Sequence, residues 1–220
     1  MTEPGSDWAR LFRIACSLID QVNSDHKIID QWSFGGGTAM MLQIDHRQSD
    51  DIDIFLPDPQ LLSYLDPKLH DFEFEIMPSD YQGDGSRFLK LAFEDIGEID
   101  FIASPALTKQ PTIKMVVEGR EVHVESVAEI ITKKVFYRGK HIKPRDIFDI
   151  AAAAKSKRTA IIGALISYQD HVADALLAIE KLNPDFVRAT NSTLIIRDSF
   201  RPLIATAIDD AKELLRAVRS

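Results

Sequence analysis

Residues 34–55 read FGGGTAMMLQIDHRQSDDIDIF. Three glycines and Thr38 open the stretch, and Asp45, Asp50, Asp51 and Asp53 crowd its far end. Carboxylates this close repel one another, so they need open solvent or a cation. Alternation predicts strands at Ile28 to Phe34 and at Ile52 to Leu56, the second stopped by Pro57, with a short helix over Thr38 to Ile44 between them. On such a strand Asp51 and Asp53 leave the same face and can share a hard cation, which their oxygen donors would select as magnesium or manganese rather than zinc. Gly36, Gly37 and Thr38 just precede the helix, where free N–H groups and the helix dipole favour an anion and glycine lets a phosphate approach the backbone.

A phosphate at one end and a divalent metal at the other describe a nucleoside triphosphate site. Other readings fail in detail. A P-loop needs a lysine directly after its last glycine, where this chain has Thr38-Ala39, and GGGTAM does not give the glycine spacing of a dinucleotide fold. A calcium loop is excluded because Phe55 and Leu56 stand at its third aspartate and glycine positions.

Around this stretch lies a chain of 220 residues, 45% hydrophobic and 27% charged, enough for one good core or two small ones in close contact. A net charge of −8 argues against coating duplex nucleic acid. No long apolar run and no leader pattern at the N-terminus predict no membrane span and a cytoplasmic protein. The single cysteine, Cys16, falls in an apolar helical stripe and reads as a buried thiol. Histidine spacing suggests no metal cluster, and His46 reads as a structural hydrogen-bonding residue at least as well as a chemical one.

The amphipathic stripe over residues 7–23 predicts a helix packed on a sheet. A helix is expected over Asp58 to Leu69, then strands at Phe72 to Met77, Phe88 to Phe93 and Ile99 to Ala103, with EDIG as a tight hairpin. Another hairpin turns at Glu118-Gly119. Ser126 with Glu129 fits a capping box opening a helix to Arg138, and Pro144 starts one to about Lys155. A long helix is expected after Arg158, with breaks near Asn183-Pro184 and Arg201-Pro202. The fold class is therefore α+β: a mixed β-sheet with flanking helices in residues 1–125, then a helical part in residues 126–220.

The pattern G-G-T, about a dozen residues, then D-h-D-h, with h apolar, resembles the core signature of DNA polymerase β-type nucleotidyltransferases. More narrowly, GGGTAMMLQIDHRQSDDIDIF resembles the AbiEii/AbiGii toxin family, with His46, Arg47, Ser49, Asp51, Asp53 and Phe55 on its H-R-x-S-x-D-h-D-h-F signature. The resemblance implies a third carboxylate from a later strand, and GEIDFI offers Asp100, with Glu98 on the same face as an alternative. It also implies a lysine-bearing helix followed by R-D-h-x-D-h, met by Lys133, Lys134, Arg138, Arg145, Asp146 and Asp149. Lys134 and Arg138 share a helix face, with Lys133 turned about 100° away. On spacing alone these charges read as solvated helix faces with Arg145 paired to Asp149; only the resemblance makes them a site.

The resemblance implies transfer of a nucleoside monophosphate from an NTP to an acceptor, with release of pyrophosphate. Asp51, Asp53 and Asp100 would bind Mg²⁺ or Mn²⁺, and Asp100 would serve as general base. Gly36, Gly37 and Thr38 would hold the β- and γ-phosphates, and Lys134 and Arg138 would neutralise growing charge. Asp146 would orient the lysine or the nucleoside, with Arg145 and Asp149 beside it. Arg47 and Ser49 would shape the approach to the carboxylates, or Arg47 would merely pair with Asp45 or Asp50. The implied acceptor is RNA such as tRNA, or a protein, and a cognate antitoxin is the implied partner. A small-molecule acceptor such as an antibiotic, and a catalytically silent nucleotide-binding module, stay open.

Overall fold

The structure is a computed structural model that describes residues 7–219. The first six residues, on which part of the leader reading falls, lie outside the described residues. The chain divides into two compact units, one of residues 1–39, 49–106 and 112–125, the other of residues 40–48, 107–111 and 126–220.

The first unit is a seven-stranded mixed sheet. Its opening helix α1 (Trp8–Val22) turns Leu11, Phe12, Ala15, Leu18 and Ile19 inward at three- and four-residue spacings. The strands are β1 (Ser33–Gly35), β2 (Ile52–Leu56), β3 (Asp80–Gly83), β4 (Phe88–Phe93), β5 (Gly97–Ala103), β6 (Thr112–Val117) and β7 (Arg120–Glu125), in the order β3-β4-β5-β2-β1-β7-β6. β2 runs parallel to β5 and antiparallel to β1. Strict alternation buries Ile52, Ile54, Leu56, Leu89, Leu91, Ile99 and Phe101 on one face, against α1 and the 3₁₀ helix at Pro59–Leu65. The opposite face carries Asp53, Lys90, Glu98 and Asp100. A stripe of apolar side chains on one strand face thus dictates that the charges stand together on the other.

Both hairpins form as expected. Glu118 and Gly119 take φ of 48° and 78°, the paired left-handed conformation of a two-residue turn between antiparallel strands. Two predicted strands differ. Ile28 and Ile29 give their amides to the Asn23 side chain rather than to a sheet, so β1 begins only at Ser33. The Gln21 side chain likewise takes the Glu73 amide and donates to the Glu73 carbonyl, and the alternating run 72–77 forms no strand. In both places a side-chain amide supplies the partners that a neighbouring strand would. The helix expected over Asp58 to Leu69 is a 3₁₀ helix at Pro59–Leu65, capped by Asp58.

The second unit is helical. Helix α2 (Gly36–Ile44) starts in the first unit, and from Met40 its residues belong to the second. α3 (Val127–Arg138) is capped by Ser126, whose hydroxyl accepts the Glu129 amide at 3.2 Å. The return half of the expected box is absent, because the fully buried Glu129 carboxylate instead accepts the Leu107 and Thr108 amides, each at 2.9 Å. α4 (Pro144–Leu165) runs past the expected end through a non-helical Lys157. The long helix predicted beyond Arg158 is broken by a 3₁₀ turn at Ile166–Tyr168 before α5 (Gln169–Lys181). α6 (Pro184–Ser192) and α7 (Leu203–Arg216) begin at the two expected proline breaks. Ala151–Ala153 of α4 and Ala207 and Ala211 of α7 are buried, small side chains that suit close packing of these two helices. Among the described residues no helix is long and apolar enough to cross a membrane.

Candidate active site

The carboxylates of the sheet unit are placed by strand register. Asp53 and Asp100 are direct partners on the parallel pair β2 and β5, so their side chains leave the sheet side by side. Asp100 Oδ1 is buried and has no hydrogen-bond partner. Burial, followed by the charge of Asp53, pushes the Asp100 carboxyl up from 3.8 to about 6, against the pull of Lys90. Asp51 directs Oδ1 to the Glu98 amide at 3.3 Å. Glu98, the alternative to Asp100, is tied to the Lys90 ammonium.

The glycine turn is built around these acids. Gly35 is the strand partner of Asp53, and Gly36 has a φ of 70°. A Cβ on Gly36 would lie 1.8 Å from Asp53 Oδ2, so only glycine lets the turn pass over that carboxylate. Thr38 is fully buried and donates its hydroxyl to the Asp51 carbonyl at 2.6 Å. Its side chain therefore pins the glycine turn to the aspartate strand and is spent on that bond, rather than being presented to a phosphate.

Two hard oxygen donors face each other, one oxygen is buried without a partner, and the local charge opposes ionisation. A cation relieves all three conditions. Among the described residues no three acidic, imidazole or thiol groups are gathered into a ready cage, so a cation held by Asp53 and Asp100 would need water or phosphate oxygens for the rest of its shell.

The helical unit holds a second charged cluster, and it is closed. Asp149, wholly buried on α4, accepts Arg47 Nε at 2.7 Å and Nη2 at 3.0 Å, faces His46 Nε2 at 3.0 Å, and lies 3.1 Å from Lys134 Nζ. Lys134 Nζ also donates to Asp146 Oδ1 at 2.7 Å, and Arg138 reaches the same oxygen at 3.3 Å. Burial works to raise both carboxyls, but Arg47 and Lys134 around Asp149, and Lys134 and Arg138 around Asp146, hold both below the ordinary range. The Lys143 amide caps Asp146 Oδ2, which fixes the start of α4.

Two segments that the sequence offered as separate parts of a site thus bind each other, His46-Arg47 gripping the second aspartate of R-D-I-F-D. Arg47 does not pair with Asp45, which takes Arg197, and Asp149 does not pair with Arg145, which is exposed on the first turn of α4. Lys133 turns to Glu129, its Nζ 3.8 Å away, which leaves Lys134 as the lysine of the cluster. Arg138 has the most accessible cation there, its side chain 41% exposed. Ser49 is half-buried on the approach to β2.

Sequence reasoning missed Lys90. Its signal was present: a three-residue turn joining β4 to β5 sets Phe93 opposite Gly97, and counting back places Lys90 opposite Asp100.

The model of the family described as "Nucleotidyl transferase AbiEii toxin, Type IV TA system" matches residues 17–216. Among solved structures, a protein from H. pylori assigned as a nucleotidyltransferase is similar with a TM-score of 0.50 at 17% identity, over 99% of this chain and 96% of that one. JHP933 from Helicobacter pylori follows at 0.46 and 15%, over 97% and 92%. The Bradyrhizobium diazoefficiens CD-NTase CdnG in complex with GTP follows at 0.38 and 13%, over 97% and 85%. The first likeness shows a shared fold, and the other two are too distant to argue from. No protein with a curated description matches.

Proposed function

Because the chain belongs to the AbiEii family of nucleotidyltransferase toxins, we propose that it transfers a nucleoside monophosphate from an NTP to an RNA or protein acceptor in a metal-dependent reaction, as the toxin encoded with a cognate antitoxin. One observation carries the reading beyond family membership: Asp53 and Asp100 stand side by side with a buried, unpartnered oxygen on Asp100.

Asp53 and Asp100, with Asp51 beside them, would hold Mg²⁺ or Mn²⁺. Such an ion supplies acidification of the acceptor hydroxyl and stabilisation of the departing pyrophosphate. Asp100 Oδ1, lacking a protein partner, is the atom suited to accept the hydroxyl proton. The amides of Gly36 and Gly37 would take the β- and γ-phosphates at the start of α2, and Thr38 keeps that turn in register with Asp51. Arg138 and Lys134 would offset charge growing on the leaving group. Asp146 would orient Lys134, and Asp149 would hold Arg47 so that Lys134 keeps its place. Arg145 and Ser49 are proposed nucleotide contacts.

The test is incubation of the purified protein with each α-³²P-labelled NTP, Mg²⁺ and total cellular RNA, beside the Asp51→Ala, Asp53→Ala double variant. Label transferred to RNA or protein by the intact chain alone supports the reading and names the donor. Magnesium-dependent NTP binding without transfer to any acceptor would overturn it in favour of a binding module.

A further inference from the structure

The pair formed by Asp53 and Asp100 has a neighbour that the proposed reaction does not use. Lys90 is the direct strand partner of Asp100 across the antiparallel pair β4 and β5, and its Nζ lies 3.4 Å from Asp100 Oδ2. The same ammonium is hydrogen-bonded to the Glu98 carboxylate, two residues earlier on the same face of β5. Its side chain is 30% exposed and that of Glu98 is 41% exposed, so both have room to move, whereas Asp100 at 21% is held in the sheet.

We propose that Lys90 is a resident counter-ion of Asp100, competing with the divalent metal for that carboxylate, and that Glu98 is the tether that draws it aside when the metal binds. The inference rests on reading Asp53 and Asp100 as the metal pair. Its physical basis is charge balance on one sheet face. Without metal, the Asp100 carboxylate, partly buried beside Asp53, needs a cation, and the hairpin register delivers the ammonium of Lys90 to it. With a divalent ion on the pair, an ammonium at 3.4 Å from the same carboxylate would be repelled. Glu98 gives it a place to go without leaving the sheet face, since the lysine is already bonded there. Lys90 thus sets a threshold of metal concentration below which Asp100 keeps its ammonium partner, and Glu98 sets how low that threshold lies. Their effects on metal affinity should be opposite in sign, which neither a packing role nor a simple surface ion pair would produce.

The experiment is Mn²⁺ binding to the full chain without nucleotide, read by the loss of the free-ion electron paramagnetic resonance signal. Lys90→Met should tighten binding by about tenfold, and Glu98→Gln should weaken it by about as much. The double variant should behave like Lys90→Met, because a tether has no role once the lysine is gone. Unchanged or weaker binding in Lys90→Met overturns the proposal. So does a double variant as weak as Glu98→Gln, which would make Glu98 a ligand instead. Asp53→Asn separates the two levels of inference. Unchanged Mn²⁺ affinity in that variant overturns the metal reading and this proposal together. Lost affinity there, with Lys90→Met unchanged, overturns this proposal alone.

Discussion

The two charged clusters of the molecule follow opposite rules. In the helical unit, Arg47, Lys134 and Arg138 surround Asp146 and Asp149, and both carboxyls are held below their ordinary range. In the sheet unit, Asp100 stands beside Asp53 with the Lys90 ammonium 3.4 Å from its Oδ2, and its carboxyl is pushed up to about 6. One cluster surrounds its buried carboxylates with cations, and the other leaves a buried oxygen of Asp100 without a hydrogen-bond partner. The difference teaches where to look for stability and where to look for chemistry. A closed ionic network organises a fold, whereas a buried carboxylate oxygen with no partner, as on Asp100, is where we propose that a ligand binds.

The sharpest way to break the comparison is Asp149→Ala. It removes the carboxylate that holds the buried Arg47 and His46, so the expected cost is about 3–5 kcal/mol, read as a large drop in the urea midpoint. A loss under about 1 kcal/mol would mean that the network is not what holds the helical unit together. The next largest effect falls on activity. Gly36→Ala places a Cβ against Asp53 Oδ2 and strains a left-handed residue, and should lower nucleotidyl transfer by about a hundredfold or more. Single-turnover rates would check this, and a variant within a few-fold of the parent would release the turn from its assigned role.

Asp100→Asn should move stability in the contrary direction to Asp149→Ala. It removes a carboxylate disfavoured by burial and by Asp53, so the metal-free protein should gain about 1–2 kcal/mol at neutral pH while losing transfer activity. Acid should likewise act on the two clusters in opposite senses. A raised folded-state pKa means that the contribution of Asp100 is fully present below 3.8 and is lost as pH rises through about 6. The lowered values of Asp146 and Asp149 mean that their contribution is present above the unfolded value of 3.8 and is lost as pH falls through their folded values. Urea melts from pH 3 to 7 on the parent, Asp100→Asn and Asp149→Asn would resolve the two. The smallest effect is expected at the exposed Arg145, whose replacement by alanine should change stability by less than about 0.5 kcal/mol. A raised KM for NTP against that flat background would place it at the nucleotide.

Much of the sheet was legible because local chemistry fixed it. Pro57 ended β2, Glu118-Gly119 made its turn, and alternation named the buried face. The strands misread at 28–32 and 72–77 failed for one reason: amide partners came from Asn23 and Gln21, and a pattern of apolar residues cannot say where hydrogen bonds go. Asp51, Asp53 and the glycine turn were legible as a group, since their spacing carries the chemistry. That Asp53 would stand beside Asp100 was not, because the parallel pairing of β2 with β5 depends on a crossover that no short-range signal records. Nor could spacing reveal that Asp149 serves Arg47 from 102 residues away. A buried ion pair between distant segments leaves in the sequence only two charged residues that look solvated.

The division of the chain also bears on how such a protein can be cut and inherited. Residues 40–48 and 107–111 belong to the helical unit although they lie within the sheet-bearing half of the sequence. A gene split after residue 125 would therefore leave Met40, His46 and Arg47 with the wrong half, and Asp149 without its guanidinium. Neither unit is a contiguous cassette, so recombination would have to pass the two on as a single heritable piece.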